Sequence, residues 1–423
     1  MVARARTDGL QPRFPETGKA SFLVRHPLTL CWAGLIASSL ACEPAAESLT
    51  RWAIVDSRPL ARDCPIRDGD IEPATAMITV LDPLPVYCDI VAVPVATLEG
   101  SVDGMPPEPG SRVVMTSDGR YYTTSGYGHQ VLEWTGDGHF RRAVGAVGEG
   151  PGEFSPRGAL MLFLGPGDSL FVLDGAQRWT VFDPDLTFVR AFQGRFNGRN
   201  DETLHVVGGR GILTTGDVIG APPGAEAFHW MGFDGSPGPS FGPERELPLS
   251  DRSAREERAS GVDSSGLWVT PPNGAPRGLT LERWTLDGRR VRVLERRVPW
   301  LPPDGYPEMP GEPRLPEYDR VYVDREGLIW IIVAVRDPRW REVSDEERRG
   351  VEQELYDGRL EVINPETGRV VVSYRYDGVA DPPPPFSELL NTGRRSYRTV
   401  EDSLGLRAIE IFDIHLVEGG TAR

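Results

Sequence analysis

The side chains that carry most protein chemistry are thinly spread in this chain of 423 residues. Beyond residue 26 there are five histidines: His129, His139, His205, His229 and His415. No two stand four apart, the spacing that puts a pair on one helix face, and no His-Glu-x-x-His occurs, so no metal site is encoded locally. A metal or acid–base site would need His129, His205, His229 and His415 to converge from distant segments. Lys19 is the only lysine, so Schiff-base and phosphate-loop chemistry are excluded from everything after the N-terminal segment. No nucleophile elbow is expected. No Asp-x-Asp-x-Asp-Gly run marks a calcium loop. The expectation is no cofactor, with calcium held by scattered carboxylates as the alternative.

Other chemistry-bearing residues recur in a pattern. Asp118, Asp174, Asp183, Asp234, Asp287 and Asp324 each stand at a turn, where a carboxylate accepts from backbone N–H groups. Trp134, Trp179, Trp230, Trp268, Trp284 and Trp330 occur once per strand and read as core. Trp300 and Trp340 lie in insertions and are the better candidates for an exposed contact. Gly148-Glu-Gly-Pro-Gly-Glu-Phe154 could present N–H groups to an anion. Glu149 and Glu153 would repel one, so the stretch reads as a tight link with Phe154 buried.

The elements that position these residues are short strands. Asp168–Asp174 and Arg178–Asp185 form a hairpin of apolar runs joined through Gly175. Degraded copies follow the same order of turn, strand, turn, strand. Asp118, Gly167, Gly209, Ser265, Glu326 and Leu404 mark equivalent turns, about 40–80 residues apart. Repeats near 40–50 residues built from four short strands mark β-propeller blades, with insertions stretching the later ones. Ser344 and Glu347 form a capping box, so a short helix is expected over Asp345–Tyr356. Insertions at 236–260, 300–318, 336–357 and 378–397 are expected to build one recognition surface.

The N-terminus gives an address. Arg25 and His26 precede an apolar run, Leu28–Leu40, which is too short to span a bilayer as a helix. With Ala41 at a cleavage position it reads as a secretory signal. Cys42 directly after it is the candidate for lipidation, which would hold a soluble domain on a membrane. Ordinary cleavage and an uncleaved anchor are the alternatives, since Ser39 stands where a lipoprotein signal has an aliphatic residue. Glu43, rather than Asp, after Cys42 favours the outer membrane and periplasm. Cys64 and Cys88, in an exported chain, are read as a disulfide, with two buried thiols as the alternative.

The hairpins resemble the NHL-type repeat of six-bladed β-propellers. Gly148–Phe154 is similar to the Gly-x-Gly-Pro-Gly-Glu-Phe motif of a family of bacterial six-bladed propeller lipoproteins. The resemblance covers roughly 88–417 and implies an all-β, six-bladed propeller of four-stranded antiparallel blades with a short N-terminal extension. The resulting division is 1–41 signal, 42–87 tether or extension, 88–417 propeller and 418–423 tail. Val91–Leu98 is the candidate strand for closing the ring with the last blade. The formal charge is −16, and residues 1–41 hold five basic and two acidic residues, so the remainder is more acidic still. Such a surface repels nucleic acid. The expected function is a membrane-tethered module that binds a protein, peptide or glycan. The alternative is a calcium-dependent hydrolase or lyase at the channel mouth.

Overall fold

The computed structural model describes residues 52–55, 64, 77–80, 87–101, 106–194, 204–215, 226–244, 258–271, 279–296, 298, 317–337, 340–341, 355–378, 383–386, 388–390 and 394–419. The chain divides into two compact units, Met1–Pro44 and Ala45–Arg423, and every described residue lies in the second. The signal, Cys42 and Trp300 lie outside the described residues. No helix among them is long and apolar enough to cross a membrane.

The propeller is built as expected. Two short strands come first, β1 (Trp52–Ile54) and β2 (Ile78–Val80), then a long one, β3 (Cys88–Glu99). Blade one is β4 (Pro109–Met115), β5 (Tyr121–Ser125), β6 (Val131–Trp134) and β7 (Phe140–Val144). Blade two is β8 (Ala159–Leu164), β9 (Leu170–Asp174), β10 (Arg178–Phe182) and β11 (Phe188–Gln193). Blade three is β12 (Leu204–Val207), β13 (Gly211–Thr214), β14 (Glu226–Met231) and β15 (Pro237–Glu244). Blade four is β16 (Ser260–Asp263), β17 (Gly266–Val269), β18 (Leu279–Thr285) and β19 (Arg290–Arg296). Blade five is β20 (Glu317–Val323), β21 (Ile329–Arg336), β22 (Tyr356–Asn364) and β23 (Arg369–Asp377). Blade six takes β24 (Glu388–Leu389), β25 (Arg395–Glu401) and β26 (Arg407–Glu418) from the C-terminus, and β3 as its outermost strand. β26 and β3 pair antiparallel from Ala408↔Glu99 to Glu418↔Cys88, which closes the ring.

The strand pattern follows from stacking. Second strands such as β5 and β9 are buried at every position, because a blade has neighbours on both faces. They read as continuous apolar runs for that reason. Outer strands such as β7 and β11 are largely exposed. The buried hydrophobics form six clusters, each shared by two neighbouring blades. Leu98, Ile409 and Tyr397 of blade six, for example, meet Tyr121, Leu132 and Trp134 of blade one. Turn aspartates act as expected: Asp183 Oδ1 accepts from the N–H of Asp185 and Thr187, and Asp324 Oδ1 from those of Glu326 and Leu328.

The N-terminal segment adds to the rim of the ring. β1 pairs parallel with β3, outside blade six, and β2 pairs parallel with β19, outside blade four. Cys64 is bonded to Cys88, with Cα atoms 6.0 Å apart, inside the cluster shared by blades five and six. The Cys64 N–H donates to the Leu416 carbonyl at 3.0 Å.

Several expectations need correction. Leu404 lies between the second and third strands of blade six, whereas the other five turn markers lie between first and second strands. The equivalent turn of blade six falls between β24 and β25. Residues 237–244 are the fourth strand of blade three, not insertion, and β24 lies within the 378–397 stretch. The helix expected over 345–356 lies outside the described residues except at Leu355, which is helical, and Tyr356, which already opens β22. The six tryptophans are buried, but Trp268 and Trp330 sit in second strands and the other four in third strands.

Candidate recognition face and channel

The first strands of all six blades surround a central cavity of about 270 Å³. Its polar lining includes Arg112, His205, Ser260, Arg320 and Tyr322. His205 Nε2 lies 2.7 Å from Ser260 Oγ, and that hydroxyl is 3.2 Å from Thr215 Oγ1. Thr215 in turn donates to the Arg258 carbonyl at 3.0 Å, so the chain of bonds ties blade three to blade four. Ser260 is 1% exposed and its hydroxyl is shared inside this chain. Arg320 forms an ion pair with Glu388 and donates to Tyr322 Oη at 3.0 Å. His205, Ser260, Arg320 and Tyr322 therefore each have a partner within the ring.

The histidines do not converge. His129 is in the turn between β5 and β6 of blade one, and His205 is in β12 and His229 in β14 of blade three. His415 is in β26, opposite Val91 in blade six. His139 is exposed, 3.6 Å from Asp137. Among the described residues, the group of three side chains placed to hold a metal is Asp337, Asp357 and Asp377, without a histidine. Trp340 is half-buried rather than projecting, with the Arg336 guanidinium 4.1 Å above its ring. Gly238-Pro-Ser-Phe-Gly242 has the Gly-x-Ser-x-Gly spacing, but it runs along strand β15, with Ser240 opposite His229. A nucleophile elbow requires a strand–turn–helix, and this stretch is extended.

Antiparallel order sorts the connections. The turns from first to second and from third to fourth strand lie at one end of the ring, and in blades one to five they are tight. The connections from second to third strand and from blade to blade lie at the other end. Several long ones, among them 145–158, 245–257, 299–316 and 342–354, leave strands at that second end. In blades six and one the turns from second to third strand, 402–406 and 126–130, are short. These two turns meet on Glu108. Its carbonyl accepts from the Gly126 N–H at 2.7 Å, and its Oε1 from the Arg407 N–H at 3.1 Å. At the apices stand Tyr127, 88% exposed, and Leu404, 72% exposed. Ser111, Thr399, Glu401 and Arg407 line a polar depression of about 360 Å³ nearby. The result is a low ledge with two apolar side chains presented to solvent on a fixed backbone.

The link Gly148–Phe154 behaves as scaffold at this same end. Phe154 is buried between blades one and two, and Arg178 Nη2 donates to the carbonyls of Gly148 and Glu153 at 3.0 and 2.6 Å.

No family model matches the chain, and no curated protein matches it. Solved structures resemble it in fold. A "putative exported protein" of Bacteroides fragilis NCTC 9343 has 9% identity and a TM-score of 0.48, over 80% of this chain and 99% of that one. A member of the DUF4221 family from Bacteroides vulgatus has 10% identity and a TM-score of 0.49, over 78% and 99%. A virginiamycin B lyase from Staphylococcus aureus has 10% identity and a TM-score of 0.38, over 75% and 98%.

Proposed function

We propose that this chain is an exported, membrane-tethered binding module that recognises a protein, peptide or glycan at the end of the ring from which the long connections leave. The tether would be a lipid on Cys42. The observation that carries the reading is the ledge on Glu108, where Tyr127 and Leu404 stand exposed on turns held by backbone hydrogen bonds. Rigid presentation of exposed apolar side chains costs little entropy on binding and suits an anchor contact. The acidic balance of the chain favours a neutral or basic partner. The channel gives the hydrolase or lyase reading less support, because its described lining brings a single histidine and its polar groups bond one another.

The test is a peptide and glycan array probed with purified protein and with a Tyr127→Ser, Leu404→Ser double variant. Both side chains touch solvent, so the melting temperature should not move. The variant should lose at least about tenfold in affinity for whatever the wild type binds. An identical array profile for the two proteins would remove this ledge from the binding surface.

A further inference from the structure

We propose that Asp337, Asp357 and Asp377 form a Ca²⁺ site at the root of the connection between β21 and β22, on the rim of blade five and apart from the channel. The three carboxylates offer oxygens within 4.8 Å of one another. Each comes from the end of a different strand. Asp337 follows β21, Asp357 is the second residue of β22, and Asp377 closes β23. Asp357 and Asp377 are direct cross-strand partners, and the Asp337 N–H donates to the Leu355 carbonyl at 2.9 Å, so the backbone fixes all three.

Like charges directly opposite on paired strands destabilise a sheet, and burial raises the cost. Asp337 and Asp357 are 4% and 7% exposed. Arg375 answers part of this charge: its Nε donates to Asp357 Oδ2 at 2.5 Å, and its Nη2 to the Arg336 carbonyl at 2.6 Å. The second oxygen of that carboxylate, Asp357 Oδ1, is buried and has no hydrogen-bond partner. A buried anionic oxygen in that state calls for a cation. The donors are all oxygen, which suits a hard cation rather than zinc or copper. Ca²⁺ accepts irregular carboxylate sets completed by carbonyls and water, with dissociation constants of about 10⁻⁴–10⁻³ M in extracellular modules.

The site carries its own probe. The Trp340 main-chain N–H donates to the Asp337 carbonyl at 2.9 Å and its ring lies under the Arg336 guanidinium at 4.1 Å, so this indole belongs to the segment that carries Asp337. Terbium, a calcium stand-in, should therefore emit when tryptophan is excited. The experiment uses the full-length protein after chelator treatment. Calorimetry with Ca²⁺ should give a dissociation constant in that range, and Ca²⁺ should displace the terbium emission. Asp377→Asn removes the exposed ligand with little risk to folding and should weaken Ca²⁺ by at least about tenfold. Trp340→Phe should keep Ca²⁺ binding and lose most of the emission. Absence of heat at millimolar Ca²⁺, or unchanged Ca²⁺ affinity in Asp377→Asn, would overturn the proposal.

Discussion

Glu133 shows how single residues hold neighbouring blades. It is fully buried, and its carboxylate accepts from Arg120 at 2.7 Å, Arg141 at 2.9 Å and Arg142 at 2.6 Å. Arg120 and Arg142 go on to the carbonyls of Pro184 and Asp185 in blade two. Burial alone would raise the Glu133 carboxyl, but the hydrogen bonds from Arg120 and Arg142 hold it below the usual range. A depressed folded-state value stabilises the fold above the unfolded value of about 4.3. That contribution is lost as the pH falls through the folded value. Glu133→Gln should thus cost about 2–3 kcal/mol at neutral pH, less than a fully buried pair because Arg141 and Arg142 reach water. It should also flatten the acid limb of stability against pH, read by urea unfolding between pH 3 and 7. At this scale the sequence was partly legible. Turn aspartates announce themselves through Gly and Asp neighbours, so Asp183 and Asp324 were readable. Glu133 was not, because its partners come from a turn and an outer strand and carry no shared spacing. The Asp337, Asp357 and Asp377 group was hidden likewise: two members flank a long connection and the third ends the next strand.

Among elements, the most informative are the ones outside the four-strand pattern. β1 and β2 add parallel strands to the rims of blades six and four, and the disulfide fixes the stretch between them to the first residue of β3. Cys64→Ser with Cys88→Ser should lower stability by about 2–4 kcal/mol, read as a shifted denaturation midpoint, with the recognition ledge unaffected. The ledge lies at the other end of blade six from Cys88, so array binding is the control. Strands with unbroken apolar runs, such as β9 and β21, were readable because burial on both faces removes the polar alternation. β24 was not, since two paired residues, Glu388 and Leu389, leave no periodicity to detect. β15 was missed because Pro237, Gly238, Pro239 and Gly242 give it the composition of a loop, tolerated in an outermost strand where one edge needs no ladder bonds.

For the whole molecule, six clusters shared between blades make a ring in which every blade leans on two neighbours. Deleting residues 1–99 would strip β3 from β26 and leave a long, apolar strand edge. The shortened chain should run as oligomers or aggregates on size-exclusion chromatography, while the intact chain stays dispersed. The closing pair also sets a timetable. β3 is among the first parts of the ring to be synthesised and β26 is the last, so the blade that locks the circle cannot exist until β26 has been made. Cys64 and Cys88 are both early, and their bond needs nothing that comes later. In an oxidising compartment the chain can therefore carry its covalent staple before it has a ring to staple, staying open until the last strand arrives.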